Sequence, residues 1–246
     1  VIRVARPSDP HLVRMLEAHP DVVLSEELGP VTGLQFWQDG RRREVRVGDR
    51  GCPVHGLVEL MDNNPMVCAD AVSVPSPAGT LALIALGPLA KAGLIAEPPG
   101  LVVDFEATAD DIRDWLATEG WAGEADLQVG PLAEGPVLGM TAMAALLPPA
   151  DAGAIDDLYE ECFGRSFFVR RWTDSGWNPE RVAGSPYAYF RLDFAPEPGR
   201  SDLAGLASVR VAADREGKAG AAQVVHAMNV MAGAEESLGI AEPQPV

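Results

Sequence analysis

Ala71–Ile95, AVSVPSPAGTLALIALGPLAKAGLI, is the stretch whose reading decides the fold. A Pro-Ser-Pro-Ala-Gly-Thr segment ends at Thr80 and opens into an apolar run. Thr80–Ala92 is apolar on every side, so it reads as a helix buried all round. A second stretch, Lys218–Ile240, KAGAAQVVHAMNVMAGAEESLGI, reads as a long final helix over Ala219–Ala232 that ends near Gly233. Between and around them, Ile2–Val4, Leu101–Phe105, Ala125–Val129, Met140–Leu147, Phe167–Arg171, Ala188–Phe194 and Leu206–Ala212 read as strands. His11–Ala18, Ala109–Thr118 and Ala152–Phe163 read as helices, with Thr108 capping the second. Leu34–Val47 reads as a β-hairpin, because apolar residues flank Asp39-Gly40, a two-residue turn signal. Strands interleaved with helices predict an α+β class, a sheet covered on one face.

Both stretches resemble the N-acetyl-γ-glutamyl-phosphate reductase family, including relatives that act on amino acids held by a small acidic carrier protein. In that family the first stretch runs roughly V-x-N/V-P-G-C-Y-P-T before an apolar helix, and here Pro77 stands at the cysteine. The opening residues 1–24 resemble the family's Rossmann start, with Leu12–Val22 and His19-Pro20 kept. The turn glycines are replaced by Arg6, Pro7, Ser8, Asp9 and Pro10. The family's catalytic histidine and arginine fall at Leu132 and Leu138. Val182–Pro186 resembles V-x-G-S-N, Phe168–Arg170 resembles F-V-R, and Lys218–Gln223 resembles K-G-A-A-x-Q.

The resemblance implies a fold kept without the reductase chemistry. Proline cannot attack an acyl phosphate, and losing the histidine forfeits acid–base help of about 10²–10⁴-fold. Prolines and an aspartate in the first turn argue against a dinucleotide, so no cofactor is expected. The resemblance implies a sheet-plus-helices domain of the semialdehyde dehydrogenase type over residues 71–246. A truncated Rossmann-like part carrying an Arg-rich hairpin precedes it over residues 1–70.

Composition narrows the partners. Of 246 residues, 47% are hydrophobic, and the formal net charge of −17 disfavours nucleic acid and anionic membranes. No run reaches the roughly 18 apolar residues of a membrane span. The opening VIRVARPSDP lacks the apolar core of a secretory leader, so cytoplasmic residence is expected. Cys52, Cys68 and Cys162 lack paired spacing and read as free buried thiols. His11, His55 and His226 have no metal spacing, so no metal is expected. Heavy Ala, Gly, Pro, Arg and Asp usage suggests a GC-rich, actinobacterial genome.

Candidate site residues follow from charge and position. Arg41, Arg42, Arg43, Arg46 and Arg50 form a basic cluster on an acidic chain: either a solvated hairpin tip or a dock for an acidic partner. Asp104 and Glu106 stand at a strand end, and Glu134 lies two residues past Leu132; each is a candidate base or a structural acid. Ser76 and Ser185 are carried as substrate contacts, although Ser76 has no visible base. Lys218 opens the last helix and is either an anion contact or a plain solvated lysine.

The expected function is a redox-inactive reductase homologue in secondary-metabolite biosynthesis, working on an amino-acid derivative bound to an acidic amino-group carrier protein. One concrete reaction is aziridine formation by displacement of a sulfate-type leaving group, within a hetero-complex containing a second subunit. The alternative is a non-catalytic subunit that scaffolds an active partner enzyme.

Overall fold

The protein is described from a computed structural model covering residues 1–197, 199 and 201–240. The tail Ala241–Val246, expected from sequence to fray, lies outside the described residues. The described residues form two mixed sheets and the helices between them.

The first sheet has the order β2-β1-β3-β4-β5, with β1 Ile2–Arg6, β2 Val22–Leu28, β3 Leu34–Gln38, β4 Arg41–Val47 and β5 Ala71–Val74. β1 pairs parallel to β2 across helix α1, Pro10–Ala18. β3 runs antiparallel to both β1 and β4, and β4 is parallel to β5. Four of the five strands therefore point the same way, and their carboxyl ends share one edge. The expected hairpin is present. Asp39 (φ 51°) and Gly40 (φ 78°) take the paired left-handed conformations of a type I′ turn.

One face of this sheet is covered by α1, by α2 (Asn63–Cys68) and by α6 (Ala221–Ala232). Leu34, Phe36, Val45 and Val72 meet Leu12, Leu16, Val225 and Met228 there. The sheet thus takes its last strand and its main covering helix from beyond residue 70. β2, β5 and α2 were not anticipated: β2 carries Ser-Glu-Glu at an edge, and β5 and α2 are short.

The second sheet has the order β7-β6-β8-β11-β10-β9, with β6 Gly100–Val103, β7 Asp126–Val129, β8 Val137–Leu146, β9 Val169–Arg171, β10 Ala188–Pro196 and β11 Gly205–Asp214. One face packs on α3 (Pro77–Lys91), α4 (Ala109–Leu116) and α5 (Ala152–Phe163). Every residue of α3 from Ala78 to Ala90 is buried, as its apolar run requires. Gly79 is needed where α3 meets α4, since a Cβ there would lie 2.2 Å from Trp115 Cδ1. Thr108 caps α4 by accepting the Asp111 N–H. The opposite face exposes Val102, Met143 and Leu206, which cross-strand register puts on one side. No helix of the described residues is long and apolar enough to cross a membrane.

Candidate functional site

The carboxyl edge of the first sheet opens onto a crevice of about 270 Å³. In open sheets with parallel strands this edge is where ligands bind. Asp9 of the β1–α1 turn, Val47 and Val74 at two strand ends, and Pro75 and Pro77 at the start of α3 line it. The β11–α6 junction closes it with Arg215, Glu216, Gly220 and Gln223. Gln223 ties the two helix starts together, its Nε2 donating to Pro75 O (3.3 Å) and Thr80 Oγ1 (3.0 Å).

The charges on this crevice differ in availability. Asp9 is occupied as the cap of α1, its Oδ1 accepting the His11 N–H at 2.7 Å. Arg215 is exposed, Glu216 is half-buried, and neither side chain has an ion-pair partner among the described residues. Glu216 also borders a second cavity of about 480 Å³ on the far side of α1.

A charge cluster, buried except for the half-exposed Glu236, lies behind the N-terminus of α6. Lys218 Nζ meets Glu59 Oε1 at 2.7 Å, with the two side chains 1% and 5% exposed. Lys218 Nζ also lies 3.3 Å from His226 Nδ1, and His226 Nε2 lies 2.8 Å from Glu236 Oε2. An ammonium can only donate, so His226 accepts at Nδ1 and donates from Nε2. Burial, reinforced by the Lys218 charge, lowers the His226 pKa, which favours the neutral ring this geometry needs. Burial alone would raise the Glu59 carboxyl, but the Lys218 ammonium beside it, through its charge and its hydrogen bond, holds it below its ordinary value. Burial draws the Lys218 ammonium down, against the pull of Glu59. The anion Lys218 meets is therefore the protein's own.

The other residues singled out from sequence are dispersed. Arg43 is not on the surface: two-residue alternation turns it inward with Val45, at 4% exposure. Its guanidinium donates to the carbonyls of Met66, Val67, Ala69 and Met231, closing the end of α2 against α6. Arg41 bonds Asp70 at 2.5 Å, Arg46 pairs with Glu44 and Asp49, and Arg42 donates to Gln35. Asp104 Oδ1 accepts the Gly139 N–H at 2.7 Å, joining the end of β6 to β8. Glu106 and Glu134 are exposed, and none of these three acids lines the crevice. Ser76 caps α3 through the Gly79 N–H and donates to Asp111 Oδ2 at 2.5 Å, so its hydroxyl is engaged. Ser185 lines the larger cavity. Leu132 is exposed, and Leu138 is wholly inside the core. Cys52 is buried as expected, but Cys68 is exposed at the end of α2 and Cys162 is half-buried. No group of three or more potential metal ligands occurs among the described residues.

No protein-family model and no curated protein matches the chain. Solved structures do. Two structures of aspartate semialdehyde dehydrogenase II from Vibrio cholerae, one complexed with ASA, each cover 94% of this chain and 98% of their own. Both have a TM-score of 0.58, at 11% and 12% identity. The fold is that of a semialdehyde dehydrogenase. A dinucleotide held at a βα turn needs backbone N–H donors there, and the residues of the β1–α1 turn do not suit one. Pro7 and Pro10 lack N–H groups, and Asp9 both fills the start of α1 and sets a carboxylate on the crevice. The crevice is also smaller than the roughly 300–1,000 Å³ of ordinary small-ligand pockets.

Arg215 and Glu216 escaped the sequence reading. They had a signal: Asp214-Arg215-Glu216-Gly217 places charges of both signs between a strand and the Lys218 helix start. Strand-to-helix junctions are where site residues concentrate.

Proposed function

We propose that this chain uses a semialdehyde dehydrogenase fold without dehydrogenase chemistry. It resembles the N-acetyl-γ-glutamyl-phosphate reductases as a redox-inactive relative in secondary-metabolite biosynthesis. Its substrate is an amino-acid derivative presented by an acidic amino-group carrier protein, and it works beside a second subunit. The concrete reaction is closure of an aziridine. The substrate amine attacks the neighbouring carbon, the C–N bond forms as the C–O bond to a sulfate-type group breaks, and sulfate departs with the electron pair. The ammonium proton passes to a carboxylate.

The observation that carries this reading is the composition of the crevice. It holds Pro77 in place of a nucleophile and sets a carboxylate, Glu216, beside a guanidinium, Arg215, neither of them ion-paired among the described residues. Such a step needs alignment of nucleophile and leaving group, a base, and a cation for the departing anion. Glu216 fills the base role here in place of Asp104, Glu106 and Glu134. Arg42 is the arginine of the hairpin bonded only to a neutral side chain among the described residues, and it is the remaining contact for an acidic carrier.

The test is native mass spectrometry of the tagged chain from its own cells, followed by incubation of the isolated complex with a vicinal amino sulfate ester. Co-purification of a small acidic protein and loss of sulfate with ring closure support the reading. Tight NADPH binding with reduction of an acyl phosphate would sink it.

The outer face of the second sheet favours a second reading, a non-catalytic subunit seated on an active partner through the exposed Val102, Met143 and Leu206, which share that face with polar residues such as Thr141 and Arg210. Under that reading a hetero-complex forms, and Glu216→Gln leaves its activity intact.

A further inference from the structure

The cavity on the far side of α1 is separate from the crevice at the strand ends. It holds about 480 Å³ between α1, the turn at Gly184–Pro186 and the junction Asp214–Gly217. Helical periodicity divides the two spaces: Asp9 and Leu12 face the crevice, while His11, Arg14, Met15 and Ala18 face this cavity.

One wall is cationic. Arg14 Nη2 donates to His11 Nδ1 at 2.6 Å and forms no ion pair among the described residues. With Nδ1 accepting, the ring N–H of His11 is on Nε2, a donor with no partner among the described residues. The facing wall is acidic, but its two carboxylates are unlike. Asp214 is used by the backbone: Oδ2 accepts the Gly184 N–H at 2.7 Å, and Oδ1 accepts those of Glu216 and Gly217 at 2.9 and 3.2 Å. The Glu216 carboxylate has no such partner among the described residues. Ser185 also lines this space at 3% exposure. Among the described residues its oxygen receives only a 3.4 Å contact from the Tyr187 N–H, which leaves its own proton to donate. The rest of the surface is largely apolar, from Met15, Ala18 and two prolines.

The geometry points to a second binding site, one for a small zwitterion: an α-amino acid with an apolar side chain, its carboxylate on Arg14 and His11 and its ammonium on Glu216. A simple anion would face Glu216 and Asp214 on a chain of net charge −17. A simple cation would face Arg14. A zwitterion satisfies both walls, and its side chain covers the apolar remainder. The volume is in the usual range for small-ligand sites, about 300–1,000 Å³. The site does not depend on the ring closure proposed above, nor the ring closure on it; Glu216 borders both spaces.

Isothermal titration calorimetry with L-leucine tests the assignment. Saturable binding with a dissociation constant of about 0.1–1 mM is expected, weakened about tenfold or more for N-acetyl-leucine, which lacks the ammonium, and for leucinamide, which lacks the carboxylate. Arg14→Gln weakens leucine about tenfold. Ala18→Phe, at an exposed end of α1, fills the space and abolishes the heat. Leucine binding that persists while the sulfate ester is left unchanged would defeat the reaction and leave this site standing. No saturable heat at about 10 mM leucine, or full binding by both variants, overturns the assignment.

Discussion

Glu216 and Lys218 are separated by one residue and occupy opposite settings. Glu216 faces two cavities and has no partner among the described residues; Lys218 is sealed in the interior against Glu59 and His226. The resemblance of Lys218–Gln223 to a family motif drew attention to the lysine, and the structure gives the accessible charge to its neighbour. A charged residue at a helix start is available to a ligand only if the fold has not already supplied its counter-ion.

The hardest way to break that contrast is to remove the buried partner. Lys218→Met strands Glu59 as an uncompensated buried charge and is expected to cost about 3–5 kcal/mol. For a chain of this size that is a fall of roughly 10 °C in Tm, read by a thermal melt. Glu59→Leu together with Lys218→Met restores most of the loss; if it does not, the pair is not the reason for it.

Glu216→Gln is the mirror experiment. Stability stays within about 0.5 kcal/mol, while turnover of the sulfate ester falls about 10²-fold or more. A variant that melts early but turns over normally would reverse the assignment of the two residues.

The hairpin arginines sharpen the same contrast on a smaller scale. Arg43→Ala frees several buried carbonyls at the end of α2 and costs about 2–3 kcal/mol in urea unfolding. Arg42→Ala changes stability by less than about 0.5 kcal/mol and affects only carrier affinity. Equal effects of the two would mean that strand alternation does not divide this cluster.

The smallest effect is the dependence of stability on pH. His226, Glu59 and Glu236 all titrate below their ordinary values in the folded chain. The unfolded chain therefore binds the more protons, and stability rises with pH through these windows. On acidification the His226 contribution begins to fall away near pH 6.5 and those of the two carboxylates near 4.5, continuing down through their folded values. In His226→Gln the upper part of this loss disappears from urea midpoints measured between about pH 7 and 5. An unchanged slope there would exclude the buried imidazole as its source.

Much of the fold was legible because the signals were local. The apolar run of α3, the Asp39-Gly40 turn and the cap at Thr108 each specify their own element. The edge strand β2 and the short β5 were missed because their pairing depends on distant partners. The site was less legible. Inward rotation of Arg43, engagement of Ser76 by Asp111 and enclosure of Lys218 by Glu59 are tertiary events joining residues far apart in sequence. Glu216 becomes visible only once α1 and the β11–α6 junction are brought together.

The placement of α6 has a consequence for synthesis. The first sheet is complete in sequence by Val74, yet α6, its main covering helix, begins only at Ala221. Asn229 adds another late connection, accepting from His19 and donating to the carbonyls of Glu236 and Leu238. At ribosomal speeds of about 5–20 residues per second, the apolar face of that sheet waits on the order of ten seconds for its helix. Nascent chains of this protein thus expose a sticky half-structure to chaperones and to one another, and slowed translation after Val74 would prolong that hazard.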